Sequence, residues 1–242
     1  MKESILSNPK KEPIILLHGL FGSLSNWSNV VDYFSNDFEI FTPVLPLYEL
    51  SFKEKLKSLT QFLHQYIKEN KIHNPILIGN SLGGHVALLY SLKYPENVKK
   101  LILVGSSGLY ENDLGSSFVR VRDYKFIQSK VEEVFDVKEV ISNELIQEVY
   151  QTANTPSKAV SLIKIAREAK KQNLREELKN IKTPSLLIWG MQDRVTPPSV
   201  AKEFEQFLPD ARLRMIDNCG HVPMMEQPVL FNQYVNEFIK AS

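Results

Sequence analysis

Short apolar runs alternate with amphipathic stretches along most of the chain. Continuous apolar runs are typical of parallel strands covered on both faces, and apolar positions three and four apart indicate helices. This alternation predicts an α/β fold with a doubly wound, mostly parallel sheet and right-handed crossovers. The predicted strands are Ile14–Leu17, Phe38–Val44, Ile76–Ile78, Lys100–Val104, Ser185–Trp189 and Arg212–Ile216; the predicted helices are Lys53–Asn70, Leu82–Tyr94, Ser199–Leu208 and Gln227–Lys240.

The segment from about Leu109 to Asn180 interrupts this alternation, because it has helical patterns without a clear strand. These are Lys130–Ile141, Asn143–Thr152 and a third helix beginning at Thr155-Pro156, an N-cap followed by a first-turn proline. We expect an inserted helical lid over residues 109–180, since the insertion falls between strand ends that carry the candidate chemistry. A peripheral bundle that only adds stability is the alternative. With no linker or repeat, residues 1–242 are predicted to form a single domain.

Composition and charge narrow the classes of function. The chain has 242 residues, 43% apolar and 24% charged, with a formal net charge of +1 and interspersed signs. This balance argues against nucleic-acid or membrane-surface binding and favours a small-molecule substrate, and it makes no prediction of oligomeric state. A polar N-terminus and the absence of 18 consecutive apolar residues predict a cytoplasmic protein.

Neither a metal nor a cofactor is expected. No metal-binding pattern such as H-E-x-x-H and no phosphate-binding glycine fingerprint occurs in the sequence. Cys219 is the only cysteine, so an intrachain disulfide is excluded. It lies two residues from His221 on the same predicted loop, an arrangement that favours a small packed residue over a catalytic thiol.

The pentapeptide Gly79-Asn80-Ser81-Leu82-Gly83 lies between a predicted strand and a predicted helix. This context indicates a nucleophile elbow, a sharp turn that holds a serine hydroxyl above the sheet edge. Ser81 then lies at a helix N-terminus, where unpaired N–H groups and the helix dipole stabilise negative charge on a substrate oxygen.

A serine hydroxyl needs a neighbouring base, and the base needs a carboxylate to orient it. Asp193 follows the strand that ends at Trp189, and His221 lies between the last strand and the last helix. Both fall at carboxyl ends of strands, where open α/β sheets bind their ligands. Asp217 is an alternative acid, but it precedes His221 by only four residues.

Histidines elsewhere in the chain receive different interpretations. His18 belongs to His18-Gly19-Leu20-Phe21-Gly22, a glycine-bounded loop after the first strand that can offer a backbone N–H to a substrate oxygen. His64 and His73 are predicted to be solvated, whereas His85 either packs in the core or lines the pocket. An apolar acyl or alcohol pocket is expected from Phe21, Trp27, Val195 and Val222, with the lid aromatics Tyr110, Phe118 and Tyr124.

Taken in order, the motifs H-G-x-x-G, G-x-S-x-G, G-x-x-D and G-H resemble the α/β-hydrolase superfamily over nearly the whole chain. The resemblance implies Ser81 as nucleophile, His221 as general base and then acid, and Asp193 as its orienting carboxylate. It also implies an oxyanion hole formed by the backbone N–H groups of Leu20 and Leu82.

Two groups within the superfamily compete. His18-Gly19-Leu20-Phe21-Gly22-Ser23 resembles small bacterial carboxylesterases, whereas Gly79–Gly84 with Leu101–Gly105 is similar to hydrolases that cleave carbon-carbon bonds of meta-cleavage products. The second group usually has a glycine-rich oxyanion loop, whereas this chain has Leu20-Phe21 there. We therefore favour a carboxylesterase. The segment Val44–Tyr48 lacks the family's Asp-x-x-Gly-x-Gly pattern, which leaves the pocket floor undefined. A noncatalytic ligand-binding homologue is a third hypothesis.

Overall fold

A computed structural model describes residues 11–22, 27–48, 54–110 and 122–241 of the chain. Within these residues, six strands form one sheet in the order β2-β1-β3-β4-β5-β6, and all neighbouring strands are parallel. This topology confirms the predicted doubly wound α/β fold. The strands are β1 (Glu12–Leu17), β2 (Phe38–Phe41), β3 (Ile76–Asn80), β4 (Lys100–Val104), β5 (Ser185–Gly190) and β6 (Ala211–Ile216).

Nine α-helices accompany the sheet in the described part of the chain. No helix there is long and apolar enough to cross a bilayer. The helices are α1 (Ser28–Phe34), α2 (Lys55–Glu69), α3 (Leu82–Lys93), α4 (Tyr124–Val134), α5 (Asn143–Ala153), α6 (Pro156–Lys171), α7 (Pro198–Phe207), α8 (Pro223–Glu226) and α9 (Pro228–Lys240).

The core lies in two layers, one on each face of the sheet. Successive strand residues point to opposite faces, so Leu77 packs with α2, α3 and α7 in one layer. Its neighbours Ile76 and Ile78 pack with α1 and α9 in the other. The continuous apolar runs of the inner strands therefore follow from burial on both faces.

Several boundaries differ from the sequence expectation. The second strand ends at Phe41 rather than Val44, while α1 and α8 were not predicted. The first helix after β4 in the described residues begins at Tyr124, where the Asp123 side chain accepts a hydrogen bond from the Phe126 N–H and caps it, and it ends at Val134. We call α4, α5 and α6, which lie between β4 and β5, the helical insertion.

The strand order reverses direction between β1 and β3, since β2 lies beyond β1 and β4 lies beyond β3. Open α/β sheets bind ligands at the carboxyl ends of strands next to such a reversal. The two loops that begin there are residues 18–22, which follow β1, and the turn at Ser81, which follows β3. The fold thus places the strongest candidate chemistry at this edge.

Candidate active site

Ser81 forms the turn between β3 and α3. Its backbone has φ 54° and ψ −118°, a conformation that side-chain-bearing residues rarely adopt. The start of α3 also approaches the end of β1 so closely that a Cβ on Gly83 would lie 2.2 Å from the Leu17 carbonyl oxygen. Only glycine fits there, and the strained serine is held at the N-terminus of a 12-residue helix.

His221 and Asp193 form a buried pair at the same edge of the sheet. His221 Nδ1 lies 2.8 Å from Asp193 Oδ2, and the exposed fractions of the two side chains are 6% and 0%. The other Asp193 oxygen accepts hydrogen bonds from the backbone N–H groups of Val195 and Thr196, at 2.8 and 3.0 Å. Because Asp193 accepts all these bonds, Nδ1 of His221 carries the proton and Nε2 is the basic nitrogen.

Thr196 adds a further donor to this pair. Its hydroxyl lies 3.0 Å from Asp193 Oδ2 and 3.4 Å from His221 Nδ1. The Asp193 carboxylate is therefore held from two sides by its own loop. This fixes the plane in which the imidazole of His221 can lie.

The Ser81 turn and the His221 loop meet at the end of β4. The Val104 carbonyl accepts hydrogen bonds from the Ser81 N–H and the Asn80 side-chain amide, both at 3.0 Å. The same amide group donates to the His221 carbonyl at 3.1 Å. Gly105, at φ +48°, lies so close that a Cβ there would be 2.9 Å from His221 Nδ1. The turn that carries Ser81 and the loop that carries His221 thus meet at the end of β4, and a third loop brings Asp193 to His221.

Residues 18–22 pack directly against the Ser81 turn. A Cβ on Gly19 would lie 3.3 Å from the Ser81 Cβ. The Leu20 N–H belongs to the next residue along the chain. Leu82 is the first residue of α3, and an N–H at that position has no acceptor within its own helix. Both N–H groups predicted for an oxyanion hole therefore belong to segments that adjoin Ser81.

His18 ties this loop to the segment after β2. Its Nε2 accepts a hydrogen bond from the Leu45 N–H at 2.9 Å, and its Nδ1 donates to the Gly19 carbonyl at 2.8 Å. Burial lowers the pKa of His18, although the bond to Gly19 favours the charged form. The neutral ring is a structural bridge, since protonated Nε2 would no longer accept from Leu45.

A cavity of about 350 Å³ opens beside the 18–22 loop. Its walls come from three segments and are mainly apolar, and none of the lining residues is Lys or Arg. They are His18, Leu20, Phe21 and Gly22 after β1, Val44, Leu45, Leu47 and Tyr48 after β2, and Glu148, Val149 and Thr152 from α5.

The residues predicted for an apolar pocket are dispersed. Phe21 lines the cavity. Trp27 is buried in the core beneath α9, with its ring centroid 6.5 Å from that of Phe231. Val195 and Val222 are buried beside the His221–Asp193 pair, outside the cavity lining.

The three aromatic residues predicted for the lid do not form a common pocket wall in the described residues. Tyr110 is 54% exposed, and Tyr124 packs edge-on against Tyr150 with centroids 5.3 Å apart. Phe118 lies outside the described residues.

Cys219 and Asp217 occupy other environments. Cys219 is fully buried, and burial together with nearby carboxylates, Glu226 first, raises the pKa of its thiol. Asp217 lies at the surface, where hydrogen bonds from Gln192 and Asn218 lower the pKa of its carboxyl. Within the described residues, no three His, Cys, Asp or Glu side chains are arranged to hold a metal ion.

Sequence reasoning missed three residues that shape the site: Asn80, Thr196 and Glu226. Asn80 and Thr196 lie within or beside the motifs, but their neighbours along the chain do not indicate a role. Glu226 ends α8 and accepts hydrogen bonds from backbone N–H groups around His221. Its only sequence signal is its position five residues after His221.

A parallel sheet of this order, with a serine elbow and a buried His-Asp pair at its carboxyl edge, defines an α/β-hydrolase. The chain belongs to the Hydrolase_4 family, described as serine aminopeptidase, S33, whose model matches residues 46–228.

Individual relatives agree with this assignment. The chain is 38% identical to MGS-MChE2, an alpha/beta hydrolase enzyme from the metagenome of lagoon sediments of Mar Chica, Morocco, over 96% of this chain and 91% of that one, with a TM-score of 0.77. It is 29% identical to the pimeloyl-[acyl-carrier protein] methyl ester esterase of Nitrosomonas europaea, over 90% of this chain and 92% of the relative.

A third similarity is one of fold alone. The 2-hydroxy-6-oxo-6-phenylhexa-2,4-dienoate hydrolase from Rhodococcus sp. strain RHA1 is 21% identical, with a TM-score of 0.82 over 97% of this chain and 92% of that one.

Proposed function

We propose that this protein is a serine hydrolase that cleaves small, largely apolar carboxylic esters through an acyl-enzyme intermediate. One observation carries the proposal: a buried imidazole is held 2.8 Å from a carboxylate at the sheet edge where Ser81 forms a strained elbow. A neutral imidazole oriented in this way is the general base that a serine nucleophile needs.

The proposed reaction has two halves. Ser81 Oγ attacks the ester carbonyl carbon while His221 Nε2 takes its proton, and the carbonyl oxygen becomes an oxyanion. The backbone N–H groups of Leu20 and Leu82 stabilise that oxyanion, a contribution of about 100-fold to 1000-fold per donor in comparable sites. His221 then protonates the departing alcohol. In the second half, water attacks the acyl-enzyme with the same groups and releases the acid.

The cavity supports a preference for uncharged substrates. Its walls are mainly apolar, and its one formally charged residue at neutral pH is Glu148, which is exposed. The pKa of the Tyr48 hydroxyl lies above its usual value. Partial burial raises it most, the hydrogen bond with Thr152 lowers it, and the charge of Glu148 raises it. A carboxylate beside the cavity repels anionic substrates. The methyl ester esterase relative acts on an ester, whereas the dienoate hydrolase of similar fold is named for a carboxylate substrate.

We further propose that the helical insertion is the lid of this site. Its helix α5 supplies Glu148, Val149 and Thr152 to the wall of the cavity that the Leu20 loop also lines. Movement of α5 would therefore change the size of the cavity. The balanced charge of the chain supports a small molecule as the substrate of a cytoplasmic enzyme, in preference to nucleic acid or a membrane surface.

Hydrolysis of p-nitrophenyl esters of increasing acyl length tests the proposal. We expect Ser81→Ala to lower kcat by at least about 10⁴-fold, because the nucleophile is lost. The matched control is Ser91→Ala, a buried serine in the same helix whose hydroxyl donates to the Ala87 carbonyl, one turn back in α3. It should keep wild-type kcat.

Three results would contradict the proposal. Full activity in Ser81→Ala would exclude this nucleophile. Turnover of a vinylogous 1,5-diketone in preference to every ester would identify carbon-carbon cleavage. Tight ligand binding without turnover or labelling by a fluorophosphonate would identify a receptor.

A further inference from the structure

Glu226, the last residue of α8, is a buried carboxylate that the reaction above does not use. Its side chain accepts hydrogen bonds from four backbone N–H groups. Two belong to Gly220 and Val222, the residues on either side of His221, at 3.0 and 3.2 Å. The other two belong to Asp136 and Val137, at 2.7 and 3.0 Å.

The second pair of donors comes from the chain just after α4, in the segment that links α4 and α5 of the helical insertion. The last residue of α4 also binds the His221 backbone directly, since the His221 N–H donates to the Val134 carbonyl at 2.9 Å. The His221 loop and the end of α4 are so close that a Cβ on Gly220 would lie 2.7 Å from the Val134 carbonyl oxygen. The His221 loop is therefore bound to the insertion on one side and to Glu226 on the other.

A negative charge suits this position better than a neutral group. Glu226 is 5% exposed, and all four neighbours that it binds are donors. Hydrogen bonds from several N–H groups stabilise a buried carboxylate and are stronger than bonds between neutral groups. The substitution Glu226→Gln would keep the size of the side chain but direct an NH₂ group at N–H donors, so at least one bond would become a repulsive contact.

We propose that Glu226 is a positioning residue that fixes the His221 imidazole relative to Ser81 and couples its position to the helical insertion. This inference rests on the proposed serine hydrolase function. The hydrogen bonds of Glu226 go to backbone N–H groups and not to the His221 ring, so it would act through the backbone on both sides of His221. A displacement of about 1 Å in a catalytic group lowers the rate about 100-fold. Loss of the charge should therefore slow the chemical step more than it weakens substrate binding.

The matched control is Glu168, a carboxylate that also joins the insertion to the main domain. It accepts hydrogen bonds from the backbone N–H groups of Lys55 and Leu56, at 2.7 and 2.9 Å, at the start of α2. These residues lie away from the His221 loop. Glu168→Gln thus removes the same kind of interaction without touching the loop that carries the base.

The test measures kcat and KM for a p-nitrophenyl ester, with active sites counted by fluorophosphonate labelling. We expect Glu226→Gln to lower kcat per active site about 10-fold to 100-fold with KM changed less than about threefold, and to slow labelling by a similar factor. Glu226→Asp, which keeps the charge on a shorter chain, should recover part of kcat. Glu168→Gln should reduce thermal stability but leave kcat within about twofold of wild type.

Each other outcome overturns the inference. Unchanged kcat in folded Glu226→Gln, or an equal loss of kcat in Glu168→Gln, would mean that Glu226 has no particular effect on His221. If neither Glu226 variant folds, the residue is a determinant of folding instead. Failure of the proposed function is separate, since it would appear as absent turnover and absent labelling in the wild-type protein.

Discussion

His85 makes the stability of this protein depend on pH in a defined window. It lies one turn into α3 and is 0% exposed, and neither ring nitrogen makes a hydrogen bond of normal geometry within the described residues. Burial lowers the pKa of His85 from 6.5 to about 4, with the nearby Gln172 side chain favouring the charged form to a smaller extent. The folded protein therefore holds a neutral imidazole at pH values where the unfolded chain has a protonated one.

The sign and size of the effect follow from this difference. Because the folded pKa is the lower one, the stabilisation is complete above pH 6.5 and is lost as pH falls toward about 4. The full difference corresponds to about 3 kcal/mol, of which about 2 kcal/mol is lost by pH 5. His18 has a lowered pKa for the same reason and contributes in the same direction.

Chemical denaturation of wild type and His85→Leu at pH 8 and pH 5 isolates the His85 contribution. The change in packing shifts the free energy of unfolding of the variant equally at the two pH values. The contributions of His18 and the carboxylates are common to both proteins and cancel in the comparison. We expect the free energy of unfolding to fall about 2 kcal/mol less in the variant between the two pH values. The control is His73→Leu at an exposed position, which should parallel wild type. If His85→Leu loses as much stability as wild type, the reasoning is refuted.

Three further predictions concern catalysis and use steady-state ester hydrolysis. Gly105→Ala should lower kcat about 10-fold to 100-fold, since its Cβ would lie 2.9 Å from His221 Nδ1. The control Gly108→Ala should leave kcat unchanged, because Gly108 also has a positive φ but faces only apolar side chains. Equal losses of kcat in the two variants would contradict this reasoning. Asp193→Asn should lower kcat about 10³-fold to 10⁴-fold by changing the tautomer of His221, and a loss under about tenfold would refute that role. Glu148→Gln should raise kcat/KM for mono-p-nitrophenyl glutarate about threefold to tenfold relative to p-nitrophenyl butyrate, and an unchanged ratio would remove Glu148 from the site.

The fold was predictable because its signals are local. Apolar runs such as Leu101–Val104 are buried on both faces, so their pattern indicates parallel strands. The segment after Phe41 is different, because its backbone is held by a distant residue: the Leu45 N–H bonds the His18 ring, and the strand ends early. The start of α4 moved for a local reason, the Asp123 cap, which the apolar pattern alone did not reveal.

The candidate site likewise contains residues that the sequence predicts and residues that it does not. Ser81, Asp193 and His221 each follow a strand, and parallel topology places such positions at one edge. Glu226 and Asn80 act on backbone groups of segments far away in sequence, and such bonds leave no periodic pattern. The pocket depended most on tertiary structure, because its walls come from three segments and include Glu148 from the insertion.

The central claim is that Ser81 is an activated nucleophile. Intact-mass spectrometry after treatment with a fluorophosphonate tests it directly, followed by peptide mapping of the adduct. We predict one adduct per chain, located on Ser81 and absent in Ser81→Ala, with labelling strongly slowed in Asp193→Asn. An unlabelled wild-type protein, or an adduct on another residue, would contradict the account.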